Sequence, residues 1–123
     1  MSAILVIDDE KGILQIVHEV LTRLGHEVET AADGLEGIRK FGDGNFDLVI
    51  TDIRMPRMDG HGVVTHIRRS ENHSIPVIAI SGTPWLVKND DFDLVLAKPF
   101  ALAQLVESIH SLVPVFSRAA VGT

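Results

Sequence analysis

The sequence contains no cysteine and no tyrosine, and aromatic residues make up only 5% of its 123 residues. The absence of cysteine excludes disulfide bonds and thiolate metal sites. The apolar runs are only a few residues long, which is too short to span a bilayer, so we expect no membrane contact. The chain starts with a strand-like run and lacks the basic segment of a secretory signal. These absences predict a cytoplasmic protein.

Basic residues are also scarce, since 11 Lys and Arg stand against 17 Asp and Glu and give a formal net charge of −6. Proteins bind nucleic-acid backbones mainly through clustered Lys and Arg, so we expect no direct nucleic-acid binding. Hydrophobic residues make up 46% and charged residues 23% of the chain, which are ordinary globular values. A chain of this length forms one domain with its own core. We predict a single domain over residues 1–113 and a short C-terminal tail over 114–123.

Short apolar runs alternate along the chain with segments of helical periodicity. Four runs rich in Val, Ile and Leu are typical of parallel strands covered on both faces, and a fifth alternates as an edge strand does. The four buried strands are predicted at 4–7, 48–50, 77–80 and 94–97, and the edge strand at 26–31. Apolar residues at helical spacing predict helices at 13–24, 33–41, 61–69 and 102–112.

Strands that alternate with helices through short loops predict right-handed crossovers and an open α/β sheet. The expected architecture is a flavodoxin-like, doubly wound five-stranded parallel sheet with strand order 2-1-3-4-5. In such a sheet, ligands bind outside the carboxyl ends of the strands, at the switch point between strands one and three. We expect Asp8, Asp9 and Asp52 to converge on that point.

Acidic side chains follow two of the predicted strands, with Asp8 and Asp9 after the first and Asp52 at the end of the third. Three carboxylates at one sheet edge repel each other unless a cation neutralises them, and their hard oxygens suit Mg2+. Ser81 and Lys98 close the fourth and fifth strands. A hydroxyl and an ammonium are the groups that a phosphoryl group on Asp52 requires. Each residue alone has a simpler explanation as a loop acid, turn cap or surface ion pair, but their shared position favours a phosphoryl-acceptor site.

The chain from about residue 3 to residue 113 resembles the receiver domain of two-component response regulators. The resemblance is specific because several separated landmarks occur in the right order at the ends of the right elements. These landmarks are Asp8-Asp9, Asp52, Met55-Pro56, Asp59-Gly60, Ser81 and Lys98-Pro99-Phe100. The resemblance implies a stand-alone receiver, not an enzyme, that takes a phosphoryl group from a histidine kinase or histidine phosphotransferase. Such a receiver serves as a relay intermediate, as a phosphate sink, or as a regulator that acts on an unknown downstream protein by contact.

The same resemblance implies a role for each landmark. Asp52 accepts the phosphoryl group, and Asp8 and Asp9 hold Mg2+ directly or through water. Asp52 and the backbone carbonyl of Arg54 complete the expected set of metal ligands.

The resemblance extends to the ends of the fourth and fifth strands. Ser81 matches the hydroxyl that turns toward the phosphoryl group, and Lys98 matches the family's invariant lysine. The peptide bond before Pro99 is commonly cis in relatives, a geometry that proline makes accessible.

The chain departs from the family pattern between Ser81 and Lys98, which are only 17 positions apart. We therefore predict a shortened or missing fourth helix. Val95 takes the place of the family's switch aromatic, so output cannot use the usual ring rotation. Trp85 either substitutes for that ring or covers a bare sheet face, and the second interpretation is favoured because tryptophan buries a large area.

Two other functions are consistent with parts of the sequence. A phosphatase of the haloacid dehalogenase type uses a second aspartate two residues after its nucleophile, but Arg54 occupies that place. A pseudo-receiver, which keeps the fold and binds partners without phosphorylation, is the stronger alternative. The six histidines are scattered along the chain, and we expect most of them at the surface. His61 and His66 are five positions apart, so they do not share a helical face as a metal-binding pair requires.

Overall fold

The protein is a parallel sheet with helices packed on both faces. The computed structural model describes residues 2–87 and 91–113, so the predicted tail at 114–123 lies outside the described residues. The strands are β1 (Ala3–Ile7), β2 (Glu27–Ala31), β3 (Leu48–Asp52), β4 (Val77–Ser81) and β5 (Leu94–Ala97). The helices are α1 (Lys11–Arg23), α2 (Gly34–Asp43), α3 (Gly60–Arg68) and α4 (Leu102–Leu112). The strand order β2-β1-β3-β4-β5 confirms the predicted doubly wound sheet.

Two hydrophobic cores lie on opposite faces of the sheet, because neighbouring side chains of a strand point to opposite sides. Ile4 and Val6 of β1 belong to the core under α1 and α4. Leu5 and Ile7 belong to the core under α2 and α3. All four side chains are at most 1% exposed, and burial of each stabilises the fold by about 1.5–3 kcal/mol. This double-sided burial explains why the central strands have near-continuous apolar sequences.

The strand register places the polar residues that end the strands at one edge of the sheet. In the parallel pair β1 and β3, Ile7 is opposite Thr51, so Asp8 and Asp52 are the next residues on neighbouring strands. In the pair β4 and β5, Ser81 is opposite Ala97. The residue after Ala97 is Lys98, and it leaves the sheet at the same edge. The carboxyl edge of the sheet therefore gathers these side chains as the sequence predicts.

The connection from β4 to β5 contains no regular α-helix within its described residues, and its one element is a single 3-10 turn at Pro84–Leu86. Proline starts this turn at a position where its missing N–H costs nothing. The prediction of a shortened or missing fourth helix is confirmed. The interpretation of Trp85 as a cover for the sheet is wrong, because its residue surface is 74% exposed. Val95 of β5 is 37% exposed as well, so this end of the sheet is only partly covered.

One histidine departs from the expected surface placement. His26 directly precedes β2 and is only 4% exposed, and its ring centroid lies 6.1 Å from that of His110 on α4. Burial lowers the pKa of His26, and the nearby His110 lowers it further. The buried ring is therefore neutral in the folded protein at neutral pH.

The described helices are short. The longest, α1, has 13 residues, whereas a bilayer requires about 20 apolar residues. Within residues 2–87 and 91–113, no helix has the length and apolar character needed to cross a membrane.

Candidate functional site

Three carboxylates and one ammonium group meet at the carboxyl edge of the sheet. Among the described residues, Asp8, Glu10 and Asp52 each offer a carboxylate oxygen within 4.8 Å of the others. The Lys98 Nζ atom lies 3.3 Å from Asp8 Oδ2, 2.9 Å from Glu10 Oε1 and 3.2 Å from Asp52 Oδ2. The ammonium group thus neutralises part of the charge that burial concentrates here.

Asp52 ends β3 and is held in a single orientation. Its Oδ1 atom accepts a hydrogen bond from the Ile53 backbone N–H at 2.9 Å, which leaves Oδ2 directed toward Lys98. The residue is only 6% exposed. Burial raises the pKa of Asp52 to about 6, and the negative charge of Asp8 adds to this, while Lys98 acts in the opposite direction. A cation close to Asp52 would therefore stabilise its ionised form and lower its pKa.

Asp8 is still more deeply buried, at 1% exposure. Its Oδ1 atom accepts a hydrogen bond from the Glu10 backbone N–H at 2.9 Å. Within the described part of the chain, its Oδ2 atom has no hydrogen-bond partner, although Lys98 Nζ lies 3.3 Å away as an ion pair. Burial raises the pKa of Asp8, and Lys98 partly offsets this. A buried carboxylate oxygen without a hydrogen bond is suited to bind a metal ion.

Lys98 lies directly after β5 and is fixed at its backbone. Its N–H donates to the Ser81 carbonyl at 2.8 Å, and the Lys98–Pro99 peptide bond is cis, as expected for this position. Burial opposes the charge on Lys98, but the hydrogen bond with Glu10 and the charges of Asp8 and Asp52 outweigh it and raise the lysine pKa. Lys98 is therefore always charged at physiological pH.

Ser81 ends β4 and is 5% exposed. Its Oγ atom accepts a hydrogen bond from the Thr83 backbone N–H at 3.0 Å, an arrangement that ties the hydroxyl to the following loop. A cleft of about 370 Å³ lies beside Asp52, Ser81 and Lys98. It is lined by Asp9, Glu10, Asp52, Arg54, Ser81, Gly82, Thr83 and Lys98.

The loop between β3 and α3 forms the other wall of the site. The Asp59 carboxylate caps α3 by accepting the Gly62 N–H at 2.9 Å. The Gly60 N–H donates to the Ile53 carbonyl at 2.9 Å, which brings the start of α3 against the end of β3. A Cβ atom on Gly60 would lie 2.5 Å from the Asp52 carbonyl oxygen, so this contact requires glycine.

The structure brings Asp8, Asp52, Ser81 and Lys98 together, as the sequence predicts. Asp9 is exposed at the rim of the cleft and is not part of the three-carboxylate cluster. The side chain of Arg54 is also exposed and lines the same cleft.

Glu10 is the residue that sequence reasoning missed. The available indication was its place as the third acid in the run Asp8-Asp9-Glu10.

The arrangement fits a hard divalent cation. Carboxylate oxygens in an open cleft leave room for water ligands, which Mg2+ retains when it binds proteins. Burial is the main cause of the raised pKa values of Asp8 and Asp52, and a cation beside their oxygens would stabilise the ionised forms. An acidic pocket of this kind is suited to phosphorylation of one carboxylate beside the metal.

Comparison with known proteins identifies the family. The family model described as "Response regulator receiver domain" matches residues 4–110. Protein PilG of Pseudomonas aeruginosa is 33% identical over 123 aligned residues, which cover 93% of this chain and 89% of PilG. The probable transcriptional regulator ycf27 of Cyanidium caldarium is 33% identical over 89% of this chain but only 45% of its own length. The chain thus spans about half the length of several curated relatives that it matches.

Solved structures agree with this assignment. The response regulator TrrA of Thermotoga maritima, crystallised with Mg2+ and BeF, is 34% identical with a TM-score of 0.83 and covers 92% of this chain and 100% of TrrA. TrrA in complex with the histidine kinase ThkA gives a TM-score of 0.80 at the same identity, covering 92% of this chain and 99% of TrrA. This chain belongs to the receiver domain family of two-component response regulators, which are signalling domains rather than conventional enzymes.

Proposed function

We propose that Asp52 is the phosphoryl acceptor in a two-component phosphorelay, with a histidine kinase or histidine phosphotransferase as donor. The observation that carries this proposal is the buried Asp52 carboxylate, whose Oδ2 atom lies 3.2 Å from Lys98 Nζ within the acidic cluster. The complex of the similar protein TrrA with a histidine kinase supports a kinase partner. The proposal places the reaction in the cytoplasm.

The chemistry requires a nucleophile and charge neutralisation. A carboxylate oxygen of Asp52 attacks the phosphorus atom in line with the bond to the donor nitrogen, which breaks as the acyl phosphate bond forms. Lys98 neutralises one phosphoryl oxygen, and the Ser81 hydroxyl donates to another. A bound Mg2+ ion would neutralise further charge on the transferring group.

We propose that Asp8, Asp9 and Asp52 hold this Mg2+ ion, with the backbone carbonyl of Arg54 as an additional ligand. Asp8 and Asp52 are supported by their position in the three-carboxylate cluster. Asp9 lines the cleft at its rim, where a water-mediated contact is the more suitable role. The third carboxylate of the cluster belongs to Glu10 and not to Asp9.

Output follows from movement of Ser81 and Lys98 toward the phosphoryl group. The Lys98 backbone bonds to Ser81, so the ends of β4 and β5 respond together. Val95 has no ring to rotate, and the chain has no tyrosine. We propose that the loop after Ser81 carries the change to a downstream protein, because the Thr83 N–H must release the Ser81 hydroxyl when that oxygen turns.

Incubation with acetyl phosphate and Mg2+ tests the proposal. We expect intact-mass measurement to show the gain of one phosphoryl group in the wild-type protein and no gain in Asp52→Asn. Treatment with hydroxylamine should remove the phosphoryl group, because hydroxylamine cleaves acyl phosphate bonds. Absence of any gain with several donors, including a histidine kinase, would favour the pseudo-receiver.

Two further observations would contradict the proposal. Sustained multiple turnover of a phosphoester would indicate a phosphatase, for which Arg54 occupies the place of the second aspartate. Amide NMR signals near positions 8, 9 and 52 that do not move during a Mg2+ titration would remove the metal site on which the chemistry depends.

We expect Lys98→Ala to bind Mg2+ as tightly as the wild-type protein or more tightly. The reason is that the substitution removes a positive charge 3.2–3.3 Å from the Asp8 and Asp52 oxygens. The same variant should lose most of the spectral change that beryllofluoride causes in the wild-type protein. Isothermal titration with Mg2+ and amide NMR with beryllofluoride measure the two effects, and weaker Mg2+ binding would argue against the assigned role of Lys98.

A further inference from the structure

Lys98 has three acidic neighbours, and the nearest of them is Glu10. The Nζ atom is 2.9 Å from Glu10 Oε1, compared with 3.2 Å to Asp52 Oδ2 and 3.3 Å to Asp8 Oδ2. The side chain of Glu10 is 61% exposed, whereas that of Asp8 is 1% exposed. Glu10 can therefore follow a displaced ammonium group, while the two buried carboxylates cannot.

Glu10 occupies an unusual position for a glutamate. It is the N-cap residue of α1, yet its side chain makes no capping hydrogen bond. Ser, Thr, Asp and Asn are preferred there because their short side chains reach the free N–H groups of the first turn. The Glu10 carboxylate extends to Lys98 instead, while its backbone N–H is bonded to Asp8. The residue is thus fixed at its backbone and directed across the site by its side chain.

The position of the ammonium group creates a conflict with metal binding. Lys98 Nζ lies within 3.3 Å of both Asp8 and Asp52, in the space that a divalent cation between these carboxylates would occupy. Two cations repel each other strongly at such distances. Lys98 must leave this space when a metal ion enters, but it must remain close enough to bind a phosphoryl oxygen.

We propose that Glu10 is a positioning residue for Lys98, whose ammonium group it holds at the rim of the site while a divalent cation lies between Asp8 and Asp52. The inference rests on the proposed function, because it assumes that Mg2+ binds at this place. Glu10 then favours Mg2+ binding mainly through Lys98, by giving the displaced ammonium group a partner. A direct metal ligand would act independently of Lys98.

Two substitutions in the full chain distinguish the effect of the length of the Glu10 side chain from the effect of its negative charge. Glu10→Gln removes the negative charge, whereas Glu10→Asp keeps the charge but shortens the side chain and favours capping of α1. We expect both variants to bind Mg2+ about three- to tenfold more weakly than the wild-type protein, as measured by amide NMR titration. Wild-type affinity in Glu10→Asp would show that charge alone matters and would overturn the proposal.

A double-mutant cycle with Lys98→Ala identifies the route of the effect. We expect Glu10→Gln to change the Mg2+ affinity of Lys98→Ala by about twofold or less, since the group that it positions is gone. A loss in that background as large as in the wild-type protein would make Glu10 a metal ligand and overturn the proposal. Lys98→Met, which retains the aliphatic stem, replaces Lys98→Ala in the cycle if that variant does not fold.

A remote control and the wild-type titration complete the design. Glu71→Gln removes one exposed negative charge from the turn after α3, at the opposite edge of the sheet, and should leave Mg2+ affinity unchanged. If the wild-type protein binds no Mg2+, the proposed function fails. If it binds Mg2+ and neither Glu10 variant weakens binding, only the role of Glu10 fails.

Discussion

We expect Gly60→Ala to lower the free energy of unfolding by about 2–4 kcal/mol, because the new methyl group would collide with backbone atoms. Its Cβ would lie 2.5 Å from the Asp52 carbonyl oxygen and 2.9 Å from the Ile53 Cα atom. Neither atom can yield as a flexible side chain would. The start of α3 must therefore move away from the end of β3 and weaken the Gly60–Ile53 hydrogen bond. Urea denaturation at neutral pH measures the loss.

Gly12→Ala is the matched control for this substitution. Gly12 lies within α1, and a Cβ atom there would have no neighbour within 4 Å. Alanine should stabilise the helix by about 0.5–1 kcal/mol because it loses less backbone entropy on folding. Equal stability of Gly60→Ala and the wild-type protein would show that the start of α3 does not pack tightly against the end of β3.

The second large effect is a gain in stability from Asp52→Asn in metal-free solution. The pKa of Asp52 is raised to about 6 by burial and by Asp8, above the ordinary value of 3.8. A carboxyl group whose pKa is raised by folding contributes favourably to the free energy of unfolding at pH values below its unfolded-state pKa. That contribution is lost as the pH rises through the folded-state pKa. Ionised Asp52 therefore destabilises the fold above pH 6. We expect Asp52→Asn to be more stable by about 1–2 kcal/mol at pH 7.5.

The pH and metal dependence of that gain are its strongest checks. The difference between Asp52→Asn and the wild-type protein should shrink as the pH falls from about 6 through 3.8, because the wild-type carboxyl group binds a proton in both states only below both pKa values. If Mg2+ binds at the proposed site, saturating Mg2+ should also reduce the difference, because binding to the folded state would stabilise the wild-type protein. Asp43→Asn alters an exposed carboxylate and should show neither effect. A pH-independent gain would mean that the carboxylate charge is not its cause.

The fold could be predicted from the sequence because its central strands are buried on both faces. Such strands have short, near-continuous apolar runs, and the alternation of these runs with segments of helical periodicity indicates a parallel α/β sheet. The meeting of Asp8 with Asp52 followed from a general property of parallel sheets, since the carboxyl ends of all strands lie at one edge. The shortened connection followed from chain length alone, as 17 positions leave little room for a helix between Ser81 and Lys98.

The features that could not be predicted concern side chains whose surroundings depend on distant parts of the chain. Asp9 and Glu10 follow β1 directly, where no periodicity indicates which of the two acids joins Asp8 and Asp52 in the carboxylate cluster. The contact of Glu10 with Lys98 spans 88 positions. Trp85 lies in the 3-10 turn at Pro84–Leu86 and is 74% exposed, and the sequence around it does not indicate that exposure. His26 is buried beside α4, an element far along the chain, and its neighbouring residues contain no indication of this.

Within its described residues, the connection between β4 and β5 contains one 3-10 turn and no α-helix, and this has a consequence for recognition by other proteins. A surface that changes on phosphorylation would consist here of loop backbone, the exposed indole of Trp85 and the partly bare strand β5. A protein that reads the modified state must therefore be complementary to an extended, irregular strip. A partner with a groove that binds a regular α-helix would make few contacts with the described residues of this connection.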